Sequence, residues 1–212
     1  MANVTRLRPN AEYARWLDVG VAGRALPGEA RSGDRAVVQP FHGGVLVAAV
    51  DGLGHGSDAA DAAEQACAVL ERHTAEPPLE LIRRCHAALA ETRGVAMSLA
   101  VLTVPDRTLT WVAVGNVEGA VWQQDPSGRP VRTGLVTRGG VVGVRLPGLQ
   151  TGNVPVARGD LLVFATDGVA PDFADVVQPK GSPQAIADDI LQRYGRPNDD
   201  ALVVAARILM GS

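Results

Sequence analysis

Apolar positions along this chain fall into short blocks with two different periods. The block VLVAAV at residues 45–50 ends in Asp51-Gly52, and it is preceded by WLDVGVAG at 16–23 and AVVQPF at 36–41. Runs of this length, bounded by Gly, Ser and Asp, predict strands with at least one buried face. From residue 58 to 74 the period lengthens. Ala59, Ala62, Ala63, Ala66, Val69 and Leu70 recur at helical spacing behind Ser57, the expected N-cap, and Pro77-Pro78 punctuate the end. Leu81, Ile82, Cys85, Ala88 and Leu89 predict a second helix over 79–92.

The strand period then returns in AMSLAVLTV (96–104) and TLTWVAVG (108–115), joined by a hairpin at Pro105-Asp106-Arg107, and in GAVWQQ (119–124). Residues 125–153 are rich in glycine and turn formers, with strand-like pieces only at VVGV (141–144) and around Thr151. LLVFAT (161–166) is a clear buried strand running into Asp167-Gly168. Ser182-Pro183 opens an amphipathic helix over 183–194, with Pro at its first position, and ALVVAARIL (201–209) suits a central strand. Residues 1–12 are polar and read as a loose lead-in to one domain spanning 1–212. No heptad or longer repeat is present.

An apolar fraction of 46% is enough for a substantial core, and a net charge of -3 gives no electrostatic case for nucleic acid or an anionic membrane. No apolar run approaches the roughly 18 residues of a membrane span, and no signal peptide is expected at the N-terminus, so the expected compartment is the cytoplasm. Cys67 and Cys85 both fall in predicted helices without metal-ligand spacing, which suits free thiols. His42, His73 and His86 are expected at the surface or in packing roles, and Trp16, Trp111 and Trp122 in the core.

The chemistry lies in the aspartates. Asp34 opens a strand after Ser32-Gly33, Asp51 and Asp167 each end an apolar strand in Asp-Gly, and Asn198-Asp199-Asp200 precedes the last strand. Carboxylates brought together at strand ends repel unless cations neutralise them. Oxygen ligands without a Cys or His set point to Mg²⁺ or Mn²⁺, and two such ions roughly 3.5–4 Å apart activate a water for attack on a phosphoester.

Six motifs then carry a family resemblance: SGD (32–34), DGLGHG (51–56), GNVEG (115–119), GGVVGV (139–144), TDGV (166–169) and NDDALVV (198–204). In this order the chain resembles the PP2C-type (PPM) metal-dependent serine/threonine phosphatases of the bacterial SpoIIE-like and RsbX-like branch. The resemblance implies an α+β fold, a four-layer αββα sandwich of two mainly antiparallel sheets flanked by helices. It implies that Asp51 bridges two Mn²⁺ or Mg²⁺ ions and orients the nucleophilic water, and that the Gly52 carbonyl, Asp34, Asp167 and Asp199 complete the set. Asp200 is the second choice to Asp199 and otherwise a structural cap. Where eukaryotic members place a histidine directly after Asp-Gly, this chain has Leu53; His55, two residues on, is the candidate acid. The eukaryotic phosphate-binding arginine has no obvious counterpart, with Arg24, Arg31 and Arg35 nearest the first motif.

The resemblance further implies a phosphorylated regulatory protein as substrate, such as a STAS-domain component of a stress-response or partner-switching pathway. Two other readings stay open: a catalytically inactive binding module on the same fold, and a nucleotide-cradling GLGHGS loop, which lacks both GxGxxG and the Walker Lys-Ser/Thr pair.

Overall fold

The structure is a computed structural model that describes residues 12–125, 127–177 and 179–210. The expected lead-in lies, apart from Glu12, outside the described residues. The chain forms β1 (Leu17–Arg24), β2 (Asp34–Phe41), β3 (Gly44–Gly52), α1 (Ser57–Arg72), α2 (Pro78–Ala88), β4 (Val95–Thr103) and β5 (Thr108–Val114). It continues through β6 (Glu118–Gln124), β7 (Pro130–Leu135), β8 (Gly152–Pro155), β9 (Leu161–Ala165), α3 (Phe173–Val176), α4 (Pro183–Tyr194) and β10 (Ala201–Ile208).

Two antiparallel sheets result, ordered β1-β10-β9-β6-β7 and β2-β3-β4-β5-β8. Alternation explains why the central strands look apolar throughout. Val45, Val47 and Ala49 of β3 face Leu202 and Val204 of β10 and Leu162 and Phe164 of β9 between the sheets. Leu46, Ala48 and Val50 face the other way, onto Ala62, Ala66 and Leu70 of α1 and Leu81 and Cys85 of α2. On the far side Val203 and Ala205 of β10 pack with Ile186 and Ile190 of α4. A strand buried on both faces reads as a continuous apolar run, and the sum is the expected αββα sandwich.

The edge strand β1 is covered by a side chain. Gln184 of α4 donates from Nε2 to the Val21 carbonyl at 3.0 Å and accepts from the Val21 N–H at 3.2 Å, which occupies backbone groups that an open edge would expose.

Three local expectations differ from what is observed. Gly56, at φ 79, is the N-cap of α1 and makes no side-chain cap, so Ser57 is the first helical residue instead; the turn out of the DGLGHG loop needs a left-handed residue there. Residues 130–135 form β7, a strand whose exposed, half-polar face hides its period. VVGV is not a strand; it is tied by the isolated bridges Val95↔Val142 and Val141↔Arg145. Cys67 and Cys85 are free, and burial pushes both thiols up to about 12. Among the described residues no helix is long and apolar enough to cross a membrane.

Candidate metal centre and active site

The topology brings the candidate aspartates to one end of the sandwich. β2 and β3 are antiparallel and in register, with Asp34 opposite Asp51. β9 ends just before Asp167, and its antiparallel partner β10 begins just after Asp200. Thr166 joins the two sheets at this end: its hydroxyl donates to Asp34 Oδ2 at 2.7 Å and accepts from the Leu202 N–H at 2.9 Å.

Asp51, Asp167 and Asp199 line a single cavity of about 230 Å³ together with Leu53, Gly54, His55 and Asn116. Asp34 stands behind it, only 3% exposed. A larger hollow of about 490 Å³, lined by Glu12, Arg15, Trp16, Pro40, Phe41 and His42, lies toward the opposite end of β2 and gathers no set of carboxylates. The chemistry therefore belongs to the smaller cavity.

Asp200 does not join the cavity. Its Oδ1 accepts from the Leu26 N–H at 2.7 Å and its Oδ2 from the Gly33 N–H at 2.8 Å. It caps the connection between β1 and β2, which leaves Asp199 as the member of the pair facing the cavity.

Burial dominates the electrostatics. It lifts the Asp34 carboxyl to about 8 against the pull of the Thr166 hydroxyl, and lifts Asp51 to about 9, with the charges of neighbouring aspartates adding in both cases. The Asp51 and Asp167 carboxyls share a hydrogen bond. Asp199 is also raised, by burial and then by Asp167. Asp34, Asp51 and Asp199, three carboxyls that resist ionisation together, are poised for a cation, which supplies the charge they lack.

The donor set fits a hard divalent ion. The candidate donors, four aspartates and the Gly52 carbonyl, would all offer oxygen. Among the described residues no three Asp, Glu, His or Cys side chains close around one point, so the protein offers a partial shell. A cation such as Mg²⁺ that keeps several waters suits a partial shell, whereas a closed zinc cage does not.

The glycines of both Asp-Gly pairs are required by packing. A Cβ on Gly52 would lie 2.1 Å from the Ala59 carbonyl oxygen of α1, and one on Gly168 would lie 1.7 Å from the carbonyl oxygen of Asp200. His55 sits on the lip of the cavity with its side chain 66% exposed, and its Nδ1 is 3.0 Å from Glu29 Oε1.

Three site residues escaped the sequence reading. Thr166 is the inter-sheet tie. Asn116 donates from Nδ2 to Asp167 Oδ2 at 2.6 Å. Glu29 partners His55. Signals for two of the three existed, since Asn116 lies in the GNVEG motif and Thr166 in TDGV, and the antiparallel pairing of β3 and β5 with β4 brings the end of β5 beside the end of β3. The three arginines near the first motif are engaged elsewhere. Arg31 pairs with Asp61 at 2.7 Å and Glu64 at 2.9 Å, Arg35 pairs with Glu64 at 2.9 Å, and Arg24 donates to the Arg196 carbonyl at 2.5 Å.

With this geometry in place, the comparisons can be read. Residues 42–209 match the family model described as Stage II sporulation protein E (SpoIIE). The chain belongs to the SpoIIE family. Within the range of similar proteins, the phosphoserine phosphatase RsbX of Bacillus subtilis (strain 168) is 22% identical over 182 residues, covering 85% of this chain and 89% of that protein. Among solved structures, a chain from work on the bacterial stressosome, described as a modular system adapted to control secondary messenger signaling, superposes with a TM-score of 0.81 at 28% identity. It covers 90% of this chain and 99% of its own. RsbX in complex with magnesium gives 0.80 at 22% identity, over 98% of this chain and 100% of that one. The SpoIIE-family assignment and the two-sheet architecture agree with the sequence expectation.

Proposed function

We propose that this SpoIIE-family chain is a cytoplasmic, metal-dependent protein serine/threonine phosphatase. It hydrolyses phosphoserine or phosphothreonine on a regulatory protein, a STAS-domain component of a bacterial stress-response or partner-switching pathway. The observation that carries the reading is the convergence of Asp51, Asp167 and Asp199 on one cavity with Asp34 buried behind them. Support for the substrate class comes from the phosphoserine phosphatase RsbX and the stressosome chain among the similar proteins.

In this reading Asp34, Asp51, the Gly52 carbonyl, Asp167 and Asp199 hold two Mn²⁺ or Mg²⁺ ions. When bound there, such ions supply Lewis-acid activation of water and charge neutralisation of the phosphoryl group. Asp51 orients the nucleophilic water. Asn116 fixes one oxygen of Asp167 and so limits which way that carboxylate can turn. Thr166 holds Asp34 in place between the sheets. His55, with Nδ1 turned to Glu29, has Nε2 left to give a proton to the departing serine oxygen.

The test is phosphate release from a phosphoserine peptide with Mn²⁺ or Mg²⁺, in chelator, and for Asp51→Asn and Asp167→Asn. Activity is expected to need the ion and to fall by at least about a thousandfold in each variant. Turnover that persists in chelator, or survives both substitutions, refutes the mechanism. Tight metal binding without turnover of any phosphopeptide would favour the inactive module.

A further inference from the structure

We propose that Arg93 receives the substrate's phosphoryl group at the rim of the aspartate cavity, a step that rests on the phosphatase reading. No lysine or arginine is among the residues lining the cavity, whose carboxylates are Asp51, Asp167 and Asp199. Beyond the metal ions proposed for the cavity, a side-chain cation that meets a dianionic phosphomonoester has to stand at the edge. Arg24, Arg31 and Arg35 are held by the partners described above.

Arg93 lies in the connection between α2 and β4, and its Nη1 is 2.9 Å from the point that a Cβ on the cavity-lining Gly54 would occupy. Gly54, at φ 88, is in the left-handed region and has no side chain, so the guanidinium closes directly over the loop. The backbone beside Arg93 is fixed to that loop. The Leu53 N–H donates to the Gly94 carbonyl at 3.1 Å, and Val95 exchanges two 2.9 Å bonds with Val142.

The partner of Arg93 in this structure is Asp58, at 2.9 Å, with the two side chains 54% and 60% exposed. An ion pair this exposed is weak. A phosphoryl group takes two parallel N–H bonds from a guanidinium and competes well for it. Arg196 is the rival, since its charge is felt by Asp199. Arg93 is favoured because its guanidinium is placed directly against Gly54 of the cavity wall.

The experiment measures the affinity of the Mg²⁺-loaded protein for inorganic phosphate by ³¹P NMR titration, beside KM and kcat on a phosphoserine peptide. The proteins are wild type, Arg93→Ala, Arg93→Lys, Asp58→Ala and Arg196→Ala, with thermal melts to verify folding. Arg93→Ala is expected to weaken phosphate binding and raise KM by roughly 10- to 100-fold, the effect of losing charge-assisted hydrogen bonds. Arg93→Lys should recover part of that loss, and Asp58→Ala should leave KM unchanged or lower it.

Phosphate affinity within about twofold of wild type in Arg93→Ala overturns the proposal. So does an equal loss in Asp58→Ala, which would mean that Arg93 only braces the loop, and so does a loss confined to Arg196→Ala. A wild-type protein that binds phosphate through Arg93 but turns over no phosphopeptide would instead strike the phosphatase reading alone.

Discussion

Replacing Thr166 with valine tests the link between the two sheets and the metal site. The side chain is 1% exposed, and valine keeps its shape while removing the hydroxyl. Two hydrogen bonds go with it: the 2.7 Å bond donated to Asp34 and the 2.9 Å bond accepted from the Leu202 N–H. A buried N–H left without an acceptor costs about 1–3 kcal/mol, and a lost bond to a carboxyl adds a comparable amount. These share one atom and do not add fully, so the expected loss is about 2–4 kcal/mol. Urea unfolding in chelator should show a lower midpoint with an unchanged slope. The hydroxyl also works against burial at Asp34, whose carboxyl already sits at about 8. Without it, Asp34 holds its proton more firmly, and Mg²⁺ titrated by calorimetry at neutral pH should bind more weakly. Thr166→Ser keeps both bonds and should retain metal affinity, losing only about 1 kcal/mol for the methyl. A valine variant within about 0.5 kcal/mol of wild type, or a serine variant that binds Mg²⁺ as poorly as valine, would refute this account.

Gly168→Ala should destabilise by about 3 kcal/mol or more in denaturant titration, because its Cβ would meet the Asp200 backbone oxygen at 1.7 Å. Gly139→Ala, with nothing within 4 Å of its Cβ, should change little, and equal costs at the two positions would contradict the packing argument. In chelator, Asp34 at about 8 and Asp51 at about 9 both lie above the unfolded value of 3.8. Their retained protons favour the fold fully below the unfolded pKa, and that contribution is lost as pH rises through 8 to 9. The metal-free melting temperature should therefore fall between pH 6 and 9, and metal binding should release protons, measurable by calorimetry in buffers of different ionisation enthalpy. A rising melting temperature without proton release would count against it. His55→Ala should slow hydrolysis of a phosphoserine peptide by roughly a hundredfold while leaving p-nitrophenyl phosphate within about twofold, since only the serine oxygen needs a proton to depart. Equal effects on both substrates would remove His55 from the acid role.

The strands β3 and β9 that lead to Asp51 and Asp167 were legible because they are buried on both faces, and sustained burial leaves a continuous apolar run that ends abruptly at Asp-Gly. The same rule fails for β7, where Pro130, Val131, Arg132 and Gly134 are exposed and only Leu135 is buried. It also misleads at VVGV, whose apolar residues are held by single bridges to Val95 and Arg145. Thr166 was invisible as a tie because its partner, Asp34, is 132 residues away. Arg93 was equally hidden, since its place over Gly54 depends on where β4 pairs beside β3. Local sequence reports burial and turns; which side chains meet is decided by pairing between distant segments.

The Asp-Gly pairs show how the two levels meet in a single motif. The family resemblance made the Gly52 carbonyl a candidate ligand. The packing gives the glycine a reason of its own, which applies at both sites. Without a side chain at Gly52, the first turn of α1 closes to contact through Ala59, drawing the helix down beside the loop that carries Leu53, Gly54 and His55. Without one at Gly168, the backbone of Asp200 lies against the turn after Asp167. Asp200 is itself anchored by the amides of Leu26 and Gly33, so Asp199 is delivered to the cavity by a segment held on two sides. Each aspartate supplies a ligand oxygen in the proposed site, and each glycine allows the approach of the segment that completes the wall around it. A substitution at either glycine is therefore expected to act on the site through backbone position, even with every carboxylate intact.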